Sequence, residues 1–305
     1  MDRGEANTAW YRKNRYLRGI SKDDLEDRIF DILNNMIRVS DDAMFVPLKG
    51  FGECGEWMDK LIHCQEEFNI KFGNFAENFS KGQRREILPF DEDRRKRIKI
   101  AATPFRQVQE PVFLRYGSMS NMYDLYHQGQ LMLQPAKRFL DEDLAAVQDD
   151  ECMIDVRGIL DSEAVRRLVV NPQAVPDVIP DQHVHLSFET ADYAIYCMGT
   201  KPELRMIADW DARAVVIIKQ PEEFQRRLIH SIQSRFPDAQ ISFQDVAYLD
   251  PYYPPTKPPD VCAVKHFRYS YQNERRLIVH GCDVGTGLLL NIGSITDIAS
   301  FVPLE

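Results

Sequence analysis

The chain has 305 residues, a net charge of −9 and an apolar fraction of 44%. That length holds one large domain or two smaller ones with ample core; the acidic balance gives no global attraction to nucleic acid, and no apolar run approaches the ~20 residues that span a bilayer. The opening Met1-Asp2-Arg3-Gly4-Glu5 lacks the basic-then-apolar layout of a secretory leader, and Cys54, Cys64, Cys152, Cys197, Cys262 and Cys282 are scattered without a Cys-x-x-Cys, which predicts a cytoplasmic chain with reduced thiols.

Residues 1 to about 105 read as a mainly helical region. Ser21 is placed to cap a helix carrying Leu25, Ile29, Leu33, Met36 and Ile37 on one face. A second helix runs through Trp57, Leu61 and Ile62 to Phe68, and Phe68, Phe72, Phe75 and Phe79 recur at helical spacing, a stripe that favours core or a partner interface over a ligand box. Cys54, His63 and Cys64 are zinc-type ligands lacking a fourth at sensible spacing, so no metal is expected. A charge-dense stretch follows, from Lys81, Arg84, Arg85 and Glu86 to Lys99. It reads first as a solvated helix face or linker, with a positive tongue for phosphates over Arg94 to Lys99 as the sharper alternative. Pro104 and Pro111 set the boundary near 105.

Residues 106 to 305 change character. Val112 to Gly117 is an apolar strand bearing Arg115 and Tyr116, followed by a helix over Ser118 to Gln130 and a short strand at Leu131-Met132-Leu133. Phe139 to Ala146 is a short helix or loop, Gln148 to Glu151 is strongly acidic, and Cys152 to Val156 is a strand. Residues 161–182, with three prolines, form a surface connection. Val184 to Phe188 and Ala194 to Met198 are strands, Ala214 to Ile218 is the clearest buried one, and a helix over Pro221 to Arg235 turns Phe224, Leu228 and Ile232 inward. Ile241 to Tyr248 is another strand, Asp250 to Pro259 is a proline-rich loop, and Leu288 to Ile292 is the last strand. Many short strands with few helices predict an α+β fold, not a repeating βαβ sheet.

The stretch that concentrates chemistry is Lys265 to Val279. Gln272, Asn273, Glu274, Arg275 and Arg276 crowd the mouth of the strand Leu277-Ile278-Val279, and strand alternation would set Gln272, Glu274 and Arg276 on one face. An edge strand protected by charge is the plain alternative. Gly281 to Gly287 follows a strand but lacks the spacing of a phosphate loop. Seven histidines leave a Ser-His-Asp triad open, but no nucleophile elbow supports one.

Gln272-x-Glu274 at a strand entrance, with the Arg115 strand far upstream, resembles ADP-ribosyltransferases of the Arg/Ser-Thr-Ser/Glu type. The phrase from Lys265 to Ile278 is also similar to the close of a group of poorly characterised bacterial proteins proposed to share that fold, and the likeness covers Phe113 to Val279. It implies an ADP-ribosyltransferase-like core over 106–305 that uses NAD as substrate. Cleavage of the nicotinamide–ribose bond develops positive charge on the ribose, which Glu274 would stabilise while Gln272 orients the acceptor. Arg115, next to Tyr116, would grip the pyrophosphate or ribose. The third element of the family pattern has two candidates here, Tyr196 to Thr200 with Tyr196 stacking on nicotinamide, or the strand of Ser187; both depart from a plain Ser-Thr-Ser. The resemblance further implies a toxin or defence effector with a neutralising antitoxin or immunity partner. A macromolecular acceptor is expected, with RNA or DNA placed before protein. The alternatives are a catalytically inactive interaction module on the same fold and an NAD glycohydrolase.

Overall fold

Ser21 does cap a helix. In the computed structural model its side chain accepts a hydrogen bond from the Asp24 backbone N–H at 3.1 Å, which satisfies one of the donors a helix start leaves unpaired. The structure describes residues 2–48, 51–79, 90–141, 151–160, 162–169 and 183–305. Lys81, Arg84, Arg85 and Glu86, the run Gln148-Asp149-Asp150, and most of the 161–182 connection lie outside the described residues.

The N-terminal part consists of α1 (Arg3–Asn14), α2 (Lys22–Asn35), the antiparallel pair β1 (Ile37–Val39) and β2 (Phe45–Pro47), then α3 (Phe51–Phe72) and α4 (Phe75–Asn78). Leu25, Ile29 and Ile32 of α2 join Phe68 in one core, and Phe72, Phe75 and Phe79 pack around it, so the phenylalanine stripe is core. Tyr252 and Phe267, from far along the chain, close the same core. A buried Arg28–Asp250 ion pair, 2.6 Å between Nη2 and Oδ2, ties α2 to the later part. Next comes α5 (Glu92–Arg106). The sequence sets a boundary near 105, but α5 packs Ile98, Ala101, Ala102 and Phe105 against strand residues Leu114, Val215 and Ile217.

The rest runs β3 (Phe113–Gly117), α6 (Met119–Gln128), β4 (Gln130–Pro135), β5 (Met153–Ile159), α7 (Ser162–Leu168), β6 (His183–Glu189), β7 (Ala194–Gly199), α8 (Arg205–Asp209), β8 (Ala214–Ile218), α9 (Pro221–Arg235), β9 (Gln240–Asp245), β10 (Ala247–Leu249), β11 (Val264–His266), β12 (Glu274–His280), β13 (Leu288–Asn291) and β14 (Ala299–Pro303). A 3₁₀ turn, Ala136–Asp141, follows β4, and another, Phe267–Gln272, precedes β12. The fold is α+β, with antiparallel pairing everywhere among the described strands except β10 with β11. β14, which the sequence reading did not foresee, pairs with β8 from Ala299↔Ile218 to Pro303↔Ala214.

Where the main sheet branches determines where a site can form. Its path is β13-β4-β7-β3-β8-β14, with β12 and β9 added at β7. One edge of β7 is fully taken by β12. The other edge is shared: β4 holds Ala194 and Ile195, and β3 meets it only at Gly199. Among the described residues, Tyr196, Cys197 and Met198 therefore have no strand partner on that edge, and the sheet opens there into two arms. One face of the sheet packs Tyr196, Met198, Leu277 and Val279 under α6 and α9. The opposite face of β7 and β12 carries Ile195, Cys197 and Ile278 beside Cys152, Tyr193 and Cys262.

Candidate functional site

Arg115 lies at the fork. β3 alternates, so Leu114 and Tyr116 join the core under α5 while Phe113 joins the core of α6 and α9. Arg115 follows Phe113, and its guanidinium carbon stands 4.4 Å from the centre of the Tyr196 ring, a cation–π contact. Nη1 donates to the Cys197 carbonyl, which occupies the edge of β7 that has no strand partner. Nε is buried without a hydrogen-bond partner, and among the described residues no carboxylate pairs with this guanidinium. A guanidinium with no carboxylate partner over an aromatic ring has the chemistry to pair with a phosphate or carboxylate.

Glu274 also reaches Gly199, from the other side: it is the register partner of Gly199 in the β12–β7 ladder. Its side chain lies on the opposite face from Arg115, with Cys197 and Arg276. Oε1 accepts from Arg276 Nε at 2.7 Å and Oε2 from Lys265 Nζ at 3.4 Å. Lys265 also pairs with Glu151 at 3.3 Å, and Arg276 pairs with Glu151 and donates to the Cys262 carbonyl at 2.9 Å. No side chain of the four is more than 6% exposed, so two carboxylates and two cations neutralise each other out of water. Burial alone would raise the Glu274 pKa; Arg276 and Lys265 outweigh it and hold the carboxyl at about 2. Burial pushes the Cys197 thiol well up, and the Glu274 charge adds to this, so Cys197 is a protonated donor beside the carboxylate. The Glu274 backbone N–H donates to the Tyr248 hydroxyl at 2.8 Å. As built, Glu274 is a sealed structural anion.

Gln272 is not on the strand. The expected alternation holds for Glu274 and Arg276 but breaks at Asn273, whose φ of 44° is left-handed. Gln272 therefore ends the 3₁₀ turn, buried, with its side chain on that of Tyr271. Asparagine tolerates that conformation better than most residues, and Asn273 was the available signal. Tyr116 is core, its hydroxyl accepting from the Glu203 backbone N–H at 3.2 Å. Thr200 caps the turn: its N–H and hydroxyl both donate to the Asn273 carbonyl, at 2.8 and 2.9 Å. Arg115, Tyr196, Thr200, Gln272 and Glu274 thus gather around the end of β7, but on two faces. Ser187 does not join them. It lies on β6, which pairs only with β5 among the described strands, and its hydroxyl donates to Asp155 at 2.7 Å. His185 Nε2 binds the same Asp155 oxygen at 3.0 Å, so serine and histidine share the carboxylate and do not line up as a Ser-His-Asp relay.

Of the positive stretch, Arg97 is buried on Asp93, Asp211 and the Ala212 carbonyl, and Arg94 pairs with Asp91. Arg95, Lys96 and Lys99 remain exposed on α5, the plainer solvated-face reading. His63 stacks on Trp10 and Tyr11, and Cys64 lies in the core. No group of three or more metal-ligating side chains is assembled among the described residues. Lys265 and Glu151, which complete the buried quartet, carried no local signal: their partners are nine or more positions away.

No family model matches the chain. No curated protein and no solved structure matches it either.

Proposed function

We propose that this protein is a nucleotide-binding module on an ADP-ribosyltransferase-like scaffold, taking an NAD-type pyrophosphate at Arg115 with Tyr196 beside it, and that it does not use Glu274 for transfer. The observation that carries this reading is the placement of the two groups. Arg115 has a buried Nε without a hydrogen-bond partner at the fork and no paired carboxylate among the described residues, while Glu274 is neutralised by Lys265 and Arg276 on the opposite face of β7. A carboxylate with both oxygens engaged and no exposed approach cannot lie against a ribose.

A second reading is ADP-ribosyl transfer itself, to nucleic acid or protein, as a toxin or defence effector held by an antitoxin. Hydrolysis of NAD is its variant. The observation in its favour is register: Leu114 and Glu274 both meet Gly199, so the Arg115 and Glu274 strands converge on one residue.

One experiment separates these readings. Titration calorimetry with NAD on wild type and Arg115→Ala is run beside labelled NAD in cell extract, with wild type and a Glu274→Gln variant shown by circular dichroism to be folded. NAD binding that is lost in Arg115→Ala, with no NAD consumed, supports the binding module. Consumption by wild type and not by folded Glu274→Gln overturns it: label on a macromolecule selects transfer, and free ADP-ribose selects hydrolysis. Absence of NAD binding removes both readings.

A further inference from the structure

A second place in the molecule gathers the donors of a small-anion site, away from the Arg115 fork. An open surface depression of about 410 Å³ is lined by Pro135, Lys137, Arg138, Asp192, Gly285 and Thr286. It forms where β4 ends and the glycine-bearing turn Gly281 to Gly287 folds back over it. That turn comes so close because Gly287 has a φ of 135°, and a Cβ there would meet Gln134 Oε1 at 2.9 Å and Met132 Sδ at 3.1 Å. Within the turn, Gly285 N–H is held by Asp283 Oδ1 at 2.9 Å and Gly287 N–H by the Val284 carbonyl at 2.8 Å. The Thr286 N–H and hydroxyl between them have no partner among the described residues. Arg138 is oriented across the opening by Gln134 Oε1 at 2.9 Å and the Thr286 carbonyl at 3.5 Å. Lys137 is exposed, and no carboxylate pairs with it among the described residues.

The opposite charge is also present. Asp192 Oδ1 accepts from the Lys137 and Tyr193 backbone N–H groups at 3.3 and 3.1 Å, which fixes the carboxylate and leaves Oδ2 to accept from a hydroxyl or amino group. We propose that this depression binds a nucleoside monophosphate, its phosphate on Lys137, Arg138 and Thr286 and a ribose hydroxyl on Asp192. The exposed Lys137 ammonium and the Thr286 donors, with the Arg138 charge beside them, match a phosphate dianion. The second carboxylate oxygen of Asp192 matches a sugar hydroxyl. The site is independent of the Arg115 reading.

The test is equilibrium dialysis of the full chain with AMP, with adenosine and inorganic phosphate as comparisons, on wild type, Lys137→Ala, Thr286→Val and Arg115→Ala. Saturable AMP binding is expected, displaced by inorganic phosphate and weakened about tenfold or more in Lys137→Ala, as loss of one charge-assisted contact dictates. Thr286→Val, which keeps shape and drops the hydroxyl, should weaken binding less, and Arg115→Ala should leave it unchanged. The proposal is overturned if AMP does not bind, if adenosine binds equally well, or if Arg115→Ala abolishes binding while Lys137→Ala does not.

Discussion

Glu274→Gln tests the buried quartet directly. The substitution keeps the side-chain shape and removes one of the two negative charges that balance Lys265 and Arg276. The carboxyl titrates at about 2 in the folded protein against an ordinary 4.5. At 1.36 kcal/mol per pKa step, that difference places about 3 kcal/mol of stability in the ionised form at neutral pH, and removing one partner of a buried ion pair costs roughly 3 to 5 kcal/mol by direct comparison. For a chain of this length, a loss of 3 kcal/mol lowers Tm by roughly 5 °C. The folded pKa lies below the unfolded one, so the stabilisation is present above about 4.5 and is lost as pH falls toward 2. The gap between wild type and Glu274→Gln should therefore be full at pH 7 and roughly halved by pH 3. The assay is urea denaturation at several pH values, followed by far-ultraviolet circular dichroism. Adding Lys265→Met to Glu274→Gln removes one charge of each sign and leaves Glu151 with Arg276. The double variant should thus be more stable than the sum of the single losses by on the order of 1 kcal/mol. A variant within about 0.5 kcal/mol of wild type at pH 7, or a deficit that does not change with pH, would refute the account of Glu274 as a structural anion.

Three further outcomes are expected. Burial holds His63 at about 4 and His266 at about 3, with the Arg268 charge adding to the second. Both stay neutral in the fold, so stability is full above about 6.5 and falls as pH drops, by roughly 2 kcal/mol for each at pH 5; nuclear magnetic resonance titration of the two rings checks the assignment. Asp250 is held at about 2 because Arg28 and Lys60 outweigh its burial, so Asp250→Asn should cost about 3 to 5 kcal/mol and make the N-terminal helices more sensitive to limited proteolysis. Gly129 ends α6 at a φ of 65°, and a Cβ there would lie 1.9 Å from the Gly293 carbonyl oxygen. Gly129→Ala should therefore lose more than the ~1 kcal/mol of conformational strain alone, read as a drop in the urea midpoint.

What the sequence made legible was what local spacing can carry. The helix over Pro221 to Arg235 falls at its predicted bounds, with Phe224, Leu228 and Ile232 buried, because proline at its start, two glutamates in its first turn and an apolar period of three to four residues agree. Ala214 to Ile218 is buried throughout, as an unbroken β-branched run implies. The misses come from long-range choices. Ala299 to Pro303 is short and ends in proline, and it becomes a strand only because β8 offers it an edge. Glu151 closes a strongly acidic run, and only its two buried cationic partners, far along the chain, draw it inside. In the candidate site, the residue types and their neighbourhood were legible, and their faces were not.

Those faces follow from one step of register. Gly199 is opposite Glu274 across one edge of β7 and opposite Leu114 across the other. Arg115 is one residue on from Leu114, and successive strand side chains point to opposite faces. Had β12 slipped by one residue, Glu274 would stand on the face of Tyr196 and Arg115, and one ligand could touch both. The quartet opposes that slip. It would pull Arg276 off Glu151 and Glu274 off Lys265 and turn Leu277 and Val279 out of the core they share with Tyr196. Stranding a buried charge costs several kcal/mol, and each displaced aliphatic side chain adds roughly 1.5 to 3 kcal/mol. A pair of residues named from a family pattern is therefore held apart here by the packing of their own strands. The same packing leaves Arg115 Nε without a hydrogen-bond partner at the fork, over the Tyr196 ring.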